Sequence, residues 1–174
     1  ATITIRDGAT LKTSSIAVYL IYNEGNGEVN LEGGTITGAV YSTGVYNKGT
    51  GTVNVKSGTI SGTAADSTGI YNDSTGAINV TGGKIKEVAN GYYSPTYAIR
   101  NNGKGEINVD GVEFECAGNA IESSYATIKI SNSKISGTTT IYSGNVTVTN
   151  TQMTGNITNE NAEINIIDST IEAY

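Results

Sequence analysis

The chain has 174 residues, a formal net charge of −6 and arginine only at Arg6 and Arg100, which leaves no basic face to neutralise phosphates or anionic lipid. It has no His and a single Cys, Cys116, so a Ser-His or Cys-His unit, a zinc site and an internal disulfide are excluded. With 23 Gly, one Pro and no Trp beside recurrent Ile, Val, Thr, Asn and Tyr, the composition favours strands and tight turns, and no apolar run reaches the length of a membrane-spanning helix.

One pattern repeats from end to end, in two halves. Its first half is aliphatic-x-aliphatic, a small residue, then another aliphatic. The opening TITIRDGATL from Thr2 carries one extra residue before Leu11, and LIYNEGNG from Leu20 is the first second half. There follow EVNLEGGTITG from Glu28 with GVYNKGTG from Gly44, and TVNVKSGTISG from Thr52 with GIYNDSTG from Gly69. AINVTGGKIKE from Ala77 pairs with AIRNNGKG from Ala98, and EINVDGVEFEC from Glu106 with the weaker AIESSYA from Ala120. Next come TIKISNSKISG from Thr127 with a shortened TIYSG from Thr140, NVTVTNTQMTG from Asn145 with NITNENA from Asn156, and EINIIDSTIEA from Glu163.

The first aliphatic of each copy falls at Ile3, Val29, Val53, Ile78, Ile107, Ile128, Val146 and Ile164. The longest interval is 29 residues, Ile78 to Ile107, and the shortest is 18, Val146 to Ile164, so copies shorten toward the C-terminus. Period-two alternation puts Val29, Leu31 and Ile36 on one face, with Asn30, Thr35 and Thr37 on the other. Each copy offers about three aliphatic side chains, worth roughly 1.5–3 kcal/mol apiece when buried, too little to fold one copy alone against its backbone entropy. Stacked copies supply the missing burial. Propeller blades need about 40–50 residues, so the expected architecture is an all-β solenoid of about eight rungs of 18–29 residues, one domain over 1–174.

The GGTI-like and IYN-like turns resemble those of right-handed parallel β-helices, the pectate-lyase-like superfold, in bacterial adhesins and autotransporter passengers. More loosely, they are similar to the GGA(I/L/V) and FxxN repeats of chlamydial polymorphic outer-membrane proteins, with Tyr where Phe would stand and Thr after Gly34. The resemblance covers the whole chain and is one of architecture. It implies a right-handed parallel β-helix and an inward asparagine ladder at Asn23, Asn47, Asn72 and Asn101, continued by Ser123, Ser143 and Asn159.

An outward column, Tyr22, Tyr46, Tyr71, Arg100, Glu122 and Tyr142, precedes that ladder. It reads as a cross-rung aromatic stack or as a platform for sugar rings, with Arg100 over Tyr71 and paired to Glu122. The longest copy holds ANGYYSPTYAIR, whose Tyr92, Tyr93 and Tyr97 beside Pro95 form the candidate contact loop for a glycan or protein partner. Outward charges alternate in sign between copies, as in Lys84, Glu113 and Lys134, in Lys86 beside Glu115, and in Glu24, Lys48 and Asp73. Matched to lysines in this way, the carboxylates read as structural and no residue is assigned to catalysis. Calcium-binding nonapeptides and phosphate-cradling Gly-Lys motifs are absent, and Cys116 reads as a lone reduced thiol in a turn.

The sequence thus leads to a noncatalytic, secreted or cell-surface structural or adhesive module without cofactor or metal, with a carbohydrate-binding module and a polysaccharide-cleaving β-helix enzyme as alternatives. Expected partners are an extracellular glycan or a host or cell-surface protein, with no nucleic acid and no membrane insertion. Both ends read as ordinary rungs without a cap, which suits a fragment of a longer surface protein or a protomer that stacks end to end.

Overall fold

The computed structural model describes residues 1–62, 66–87 and 95–173. Among the described residues there are 17 strands, no helix, and only parallel pairings. The protein is all-β. β-Branched residues at alternate positions suit a pleated, half-buried surface, and Gly or Asn at the turns stops each strand after a few residues.

Each copy of the repeat pairs with its neighbouring copies, and three ladders result. In the first, Ile3 lies opposite Val29, then Val53, Ile78, Ile107, Ile128, Val146 and Ile164 in unbroken register. The second stacks Leu11, Ile36, Ile60, Ile85, Phe114, Ile135, Met153 and Ile171. The third stacks Ile21, Val45, Ile70, Ile99, Ile121, Thr139 and Ile157. Side chains of all three ladders enclose a single apolar core that runs through the middle copies, where Ile36, Ile70, Ile107 and Ile128 are fully buried. Thr139 is the exception, a buried hydroxyl with no hydrogen-bond partner in an otherwise aliphatic column. Ile3 and Ile166 are exposed because their strands have a paired neighbour on one side alone, and Ile167 because it stands in the outward column of Ser131 and Thr149.

Turns must stack as tightly as strands. Gly27, Gly51, Gly76 and Gly105 end the IYNxGxG-type segments, and a Cβ on Gly76 would overlap the Gly51 carbonyl oxygen and lie 2.7 Å from Asn47 Nδ2. Gly76→Ala is therefore expected to destabilise the fold by about 1–3 kcal/mol, since backbone above and below cannot both retreat. Urea unfolding of that variant, with the same stability as the parent, would remove this account of the glycine.

The corner between the first two ladders uses left-handed backbone. Gly83 and Gly111 hold it at φ 78° and 65°, and in the shorter copies Asn132, Asn150 and Asp168 take over at φ 51°, 46° and 48°. Asn and Asp tolerate this region better than other side-chain-bearing residues. Each is followed by a hydroxyl that caps the neighbouring backbone: the amides of Val112, Ser133 and Thr151 donate to Ser133 Oγ, Thr151 Oγ1 and Ser169 Oγ at 3.2, 3.3 and 3.0 Å.

Three readings of the sequence are corrected by the register. Glu122 faces Thr140, not Tyr142, and Ser123 faces Ile141, not Ser143. The cause is the shortened copy: Lys134–Thr149 runs as one strand of 16 residues, and register shifts in its pairing after Glu115 displace everything that follows. Cys116 lies on a strand rather than in a turn, buried beside Glu87, and burial pushes its thiol up to about 12.

Candidate functional site

Strict alternation fails in the third ladder, where two consecutive residues point inward. Ala98 with Ile99, and Ala120 with Ile121, are both fully buried. Outward residues therefore fall three apart, which puts Tyr19 on the same side as Tyr22, and Tyr97 on the same side as Arg100. The period-two reading had no means of pairing them, although VYLIYN displays both tyrosines of the first copy.

Tyr22, Tyr46 and Tyr71 occupy equivalent positions in successive copies. Tyr46 and Tyr71 stack at 4.9 Å between ring centroids and 8° between planes. Tyr22 meets Tyr46 edge-on at 5.3 Å, and Tyr19 packs on Tyr46 at 4.7 Å. The guanidinium of Arg100 lies 5.7 Å from the Tyr71 centroid and 5.0 Å from that of Tyr97, while Nε is 2.9 Å from Glu122 Oε1. The faces of Tyr46 and Tyr71 are thus spent on one another and on Arg100. What the stack offers outward is ring edges and hydroxyls, with Tyr22 the most open of the three at 42% exposed. Burial, then the Asp73 charge, pushes the Tyr46 phenol up to about 12, and burial likewise raises Tyr71.

Tyr97 is not a loop-tip residue. It lies on the strand Tyr97–Asn101 at 7% exposure, covered by Arg100, and burial with the nearby Glu122 charge pushes its phenol up to about 12. Its register partner Thr68 fixes it in the sheet, so replacing it by Ser would cost packing as well as any contact it makes. Tyr92 and Tyr93 lie outside the described residues.

The four asparagines Asn23, Asn47, Asn72 and Asn101 form a chain of amides. Asn23 Nδ2 donates to Asn47 Oδ1 at 2.7 Å, Asn47 to Asn72 and Asn72 to Asn101 at 2.8 Å, and Asn101 to Ser123 Oγ at 3.4 Å. The same amides donate to the turn carbonyls of Gly27, Gly51, Gly76 and Gly105. This arrangement satisfies backbone groups that the bend takes out of the sheet. A second amide ladder, missed in the sequence, joins Asn30, Asn54, Asn79 and Asn108 at 2.8, 2.9 and 3.0 Å. Its signal was the Asn between the first two aliphatics of four consecutive copies.

Surface charges pair across copies. Lys84 contacts Glu113 at 3.6 Å and also Glu115, Lys86 contacts Glu115 at 3.4 Å, and Lys48 contacts Glu24 at 3.8 Å. The lysines hold the Glu115 carboxyl below its ordinary value, and Lys129 does the same for Glu106. Among the described residues no group of three or more His, Cys, Asp or Glu is set to hold a metal ion. A groove of about 750 Å³ beside the left-handed corner is lined by Glu113, Asn132, Lys134, Asn150, Gln152 and Asp168. Two of its amides are engaged: Asn150 Nδ2 donates to Asn132 Oδ1, and Asn132 Nδ2 to Asp110 Oδ1, each at 2.8 Å.

Glu87 is a buried acid that sequence reading passed over. At 1% exposure it stands opposite Gly62 and Cys116; Oε2 accepts from Ser67 Oγ at 2.7 Å, and Oε1 has no partner. Burial pushes its carboxyl up to about 7. Only the shape of the neighbouring column permits it, since Gly62 has no Cβ to fill the space that the carboxylate occupies.

No protein-family model, no curated protein and no solved structure matches the chain. Function rests on geometry.

Proposed function

We propose that the chain is a right-handed parallel β-helix of about eight coils that serves, secreted or at a cell surface, as a noncatalytic structural and adhesive module. Support for the architecture comes from three parallel ladders whose strands recur once per copy of the repeat. Crossovers between parallel strands of one sheet are right-handed in about 98% of cases, which supports the right hand.

The observation that carries the adhesive reading is the exposed tyrosine file. A rigid scaffold with strand spacing of about 4.8 Å holds Tyr19, Tyr22 and Tyr46 in fixed sequence along one side. Amphipathic rings of low side-chain entropy are well suited to contacting another surface. Glu32, Glu106 and Glu115 support the noncatalytic part, because each is paired with a lysine that holds it ionised rather than poised near neutral pH.

Beads coated with the purified chain are expected to be retained on surfaces bearing cells or matrix proteins. Retention should fall several-fold for a Tyr19→Ser, Tyr22→Ser double variant, with little change in thermal midpoint because both side chains are exposed. Retention no better than that of albumin-coated beads would overturn the adhesive reading.

A further inference from the structure

The shortened copies build a second aromatic feature, unlike the tyrosine file. Tyr125 and Tyr142, 62% and 37% exposed, line an open cleft of about 450 Å³ with Ser124, Ser143, Glu160 and Asn161. The cleft crosses successive strands: Ser143 pairs with Asn161, and Tyr142 and Glu160 sit between that pair and the pair Ile141 with Asn159. Ser143 Oγ donates to the Ser124 carbonyl at 2.8 Å and ties the floor together.

Among the described residues neither Tyr125 nor Tyr142 stacks on another ring or on a cation, whereas the faces of Tyr46 and Tyr71 are used up in the file. The acceptors are free too: Glu160 is exposed and joins no ion pair, and Asn161 makes no side-chain hydrogen bond within the described chain. A concavity with two partly exposed tyrosine rings that stack on no other ring, and a carboxylate and an amide in its lining, matches a ligand with an apolar C–H face and hydroxyls.

We infer that the Tyr125–Tyr142 cleft binds a neutral pyranose unit of a glycan, with a ring C–H face on tyrosine and hydroxyls donated to Glu160 and Asn161. Charge selects the class. The lining holds one carboxylate and no cation, in a chain of net charge −6, so uronic and other acidic sugars are disfavoured. The inference rests on the adhesive reading only in supposing that the chain works by surface contact.

Calorimetric titration of the whole chain with cellotetraose, chitotetraose and tetragalacturonate tests it. At least one neutral tetrasaccharide should bind saturably and more tightly than the acidic one. Tyr125→Ser and Tyr142→Ser should each weaken binding about tenfold, while Tyr142→Phe, which keeps the ring, stays within about threefold. Unchanged thermal midpoints would show that the serine variants fold, as expected for exposed side chains. No saturable binding of either neutral sugar, tighter binding of tetragalacturonate, or binding indifferent to both serine variants would each overturn the inference. Beads that attach to protein-coated surfaces while these titrations fail would leave the adhesive reading standing without the sugar site.

Discussion

The native chain is expected to lose stability between about pH 4.5 and 7, and replacing Glu87 by Gln is expected to abolish that loss. The carboxyl is buried, with one oxygen unpartnered, and its value rises from an ordinary 4.5 to about 7. Below 4.5 the acid is protonated in both folded and unfolded chains, and its contribution is fully present. As pH rises, the unfolded chain releases the proton first, so stability falls until the folded chain also ionises near 7. At about 1.4 kcal/mol per unit, the loss amounts to about 3 kcal/mol. Glutamine keeps a hydrogen-bonding group near Ser67 Oγ without the charge, so the variant should be the more stable of the two at pH 8 and similar to the native chain near pH 4.5.

Other groups lie outside this window. Glu32, Glu106, Asp110 and Glu115 are held below their ordinary values by lysines or hydrogen bonds, so their contributions are lost only as pH falls into the acid range. Cys116, Tyr46 and Tyr97 are pushed up to about 12, so theirs are lost only in alkali. Urea midpoints measured at intervals from pH 5 to 8 check the expectation. Equal slopes for native chain and variant would show that Glu87 is not the group responsible.

Asn72→Ala should be among the most damaging single changes on a turn, at about 3–6 kcal/mol. Asn72 accepts from Asn47, and donates to the Gly76 carbonyl at 3.0 Å and to Asn101 at 2.8 Å, all within the buried interior. Truncation takes the amide donor from two buried acceptors, the Gly76 carbonyl and Asn101 Oδ1, at about 1–3 kcal/mol each, and leaves Asn47 Nδ2 with its bond to the Gly51 carbonyl but without its bond to Asn72. Asn54→Ala removes the same chemistry from the outer ladder, but Asn54 is half-buried and water can replace the lost bonds. That change should cost under about 1 kcal/mol. Denaturant unfolding of the two variants side by side is the measurement, and equal losses would mean that the inner ladder carries no special share of the stability.

The sequence by itself determined the all-β character, the parallel register of the first ladder and the identity of the stacked aliphatics. Stacking of copies forces equal positions to meet equal positions, so Ile3, Val29 and Val53 had to align once the repeat was recognised. Charge pairing was legible for the same reason, because Lys84 and Glu113 share a column. Where a copy changes length that logic fails, since shorter turns shift the register of whatever follows. Only the tertiary structure showed that Lys134–Thr149 passes through all three ladders with its corners reduced to Gly137 and Gly144, moving Tyr142 out of the tyrosine file and into the cleft with Tyr125. Side-chain direction failed in a second way: two inward residues in a row, as at Ala98 and Ile99, reversed the alternation that had left Tyr19 out of the file and Tyr97 in a loop. Glu87 went unnoticed although alternation turns it inward two residues after Ile85; only the structure showed that glycine on the neighbouring strand leaves room for its carboxylate. Periodicity specifies which residues can meet, and backbone curvature and side-chain volume decide which of them turn inward.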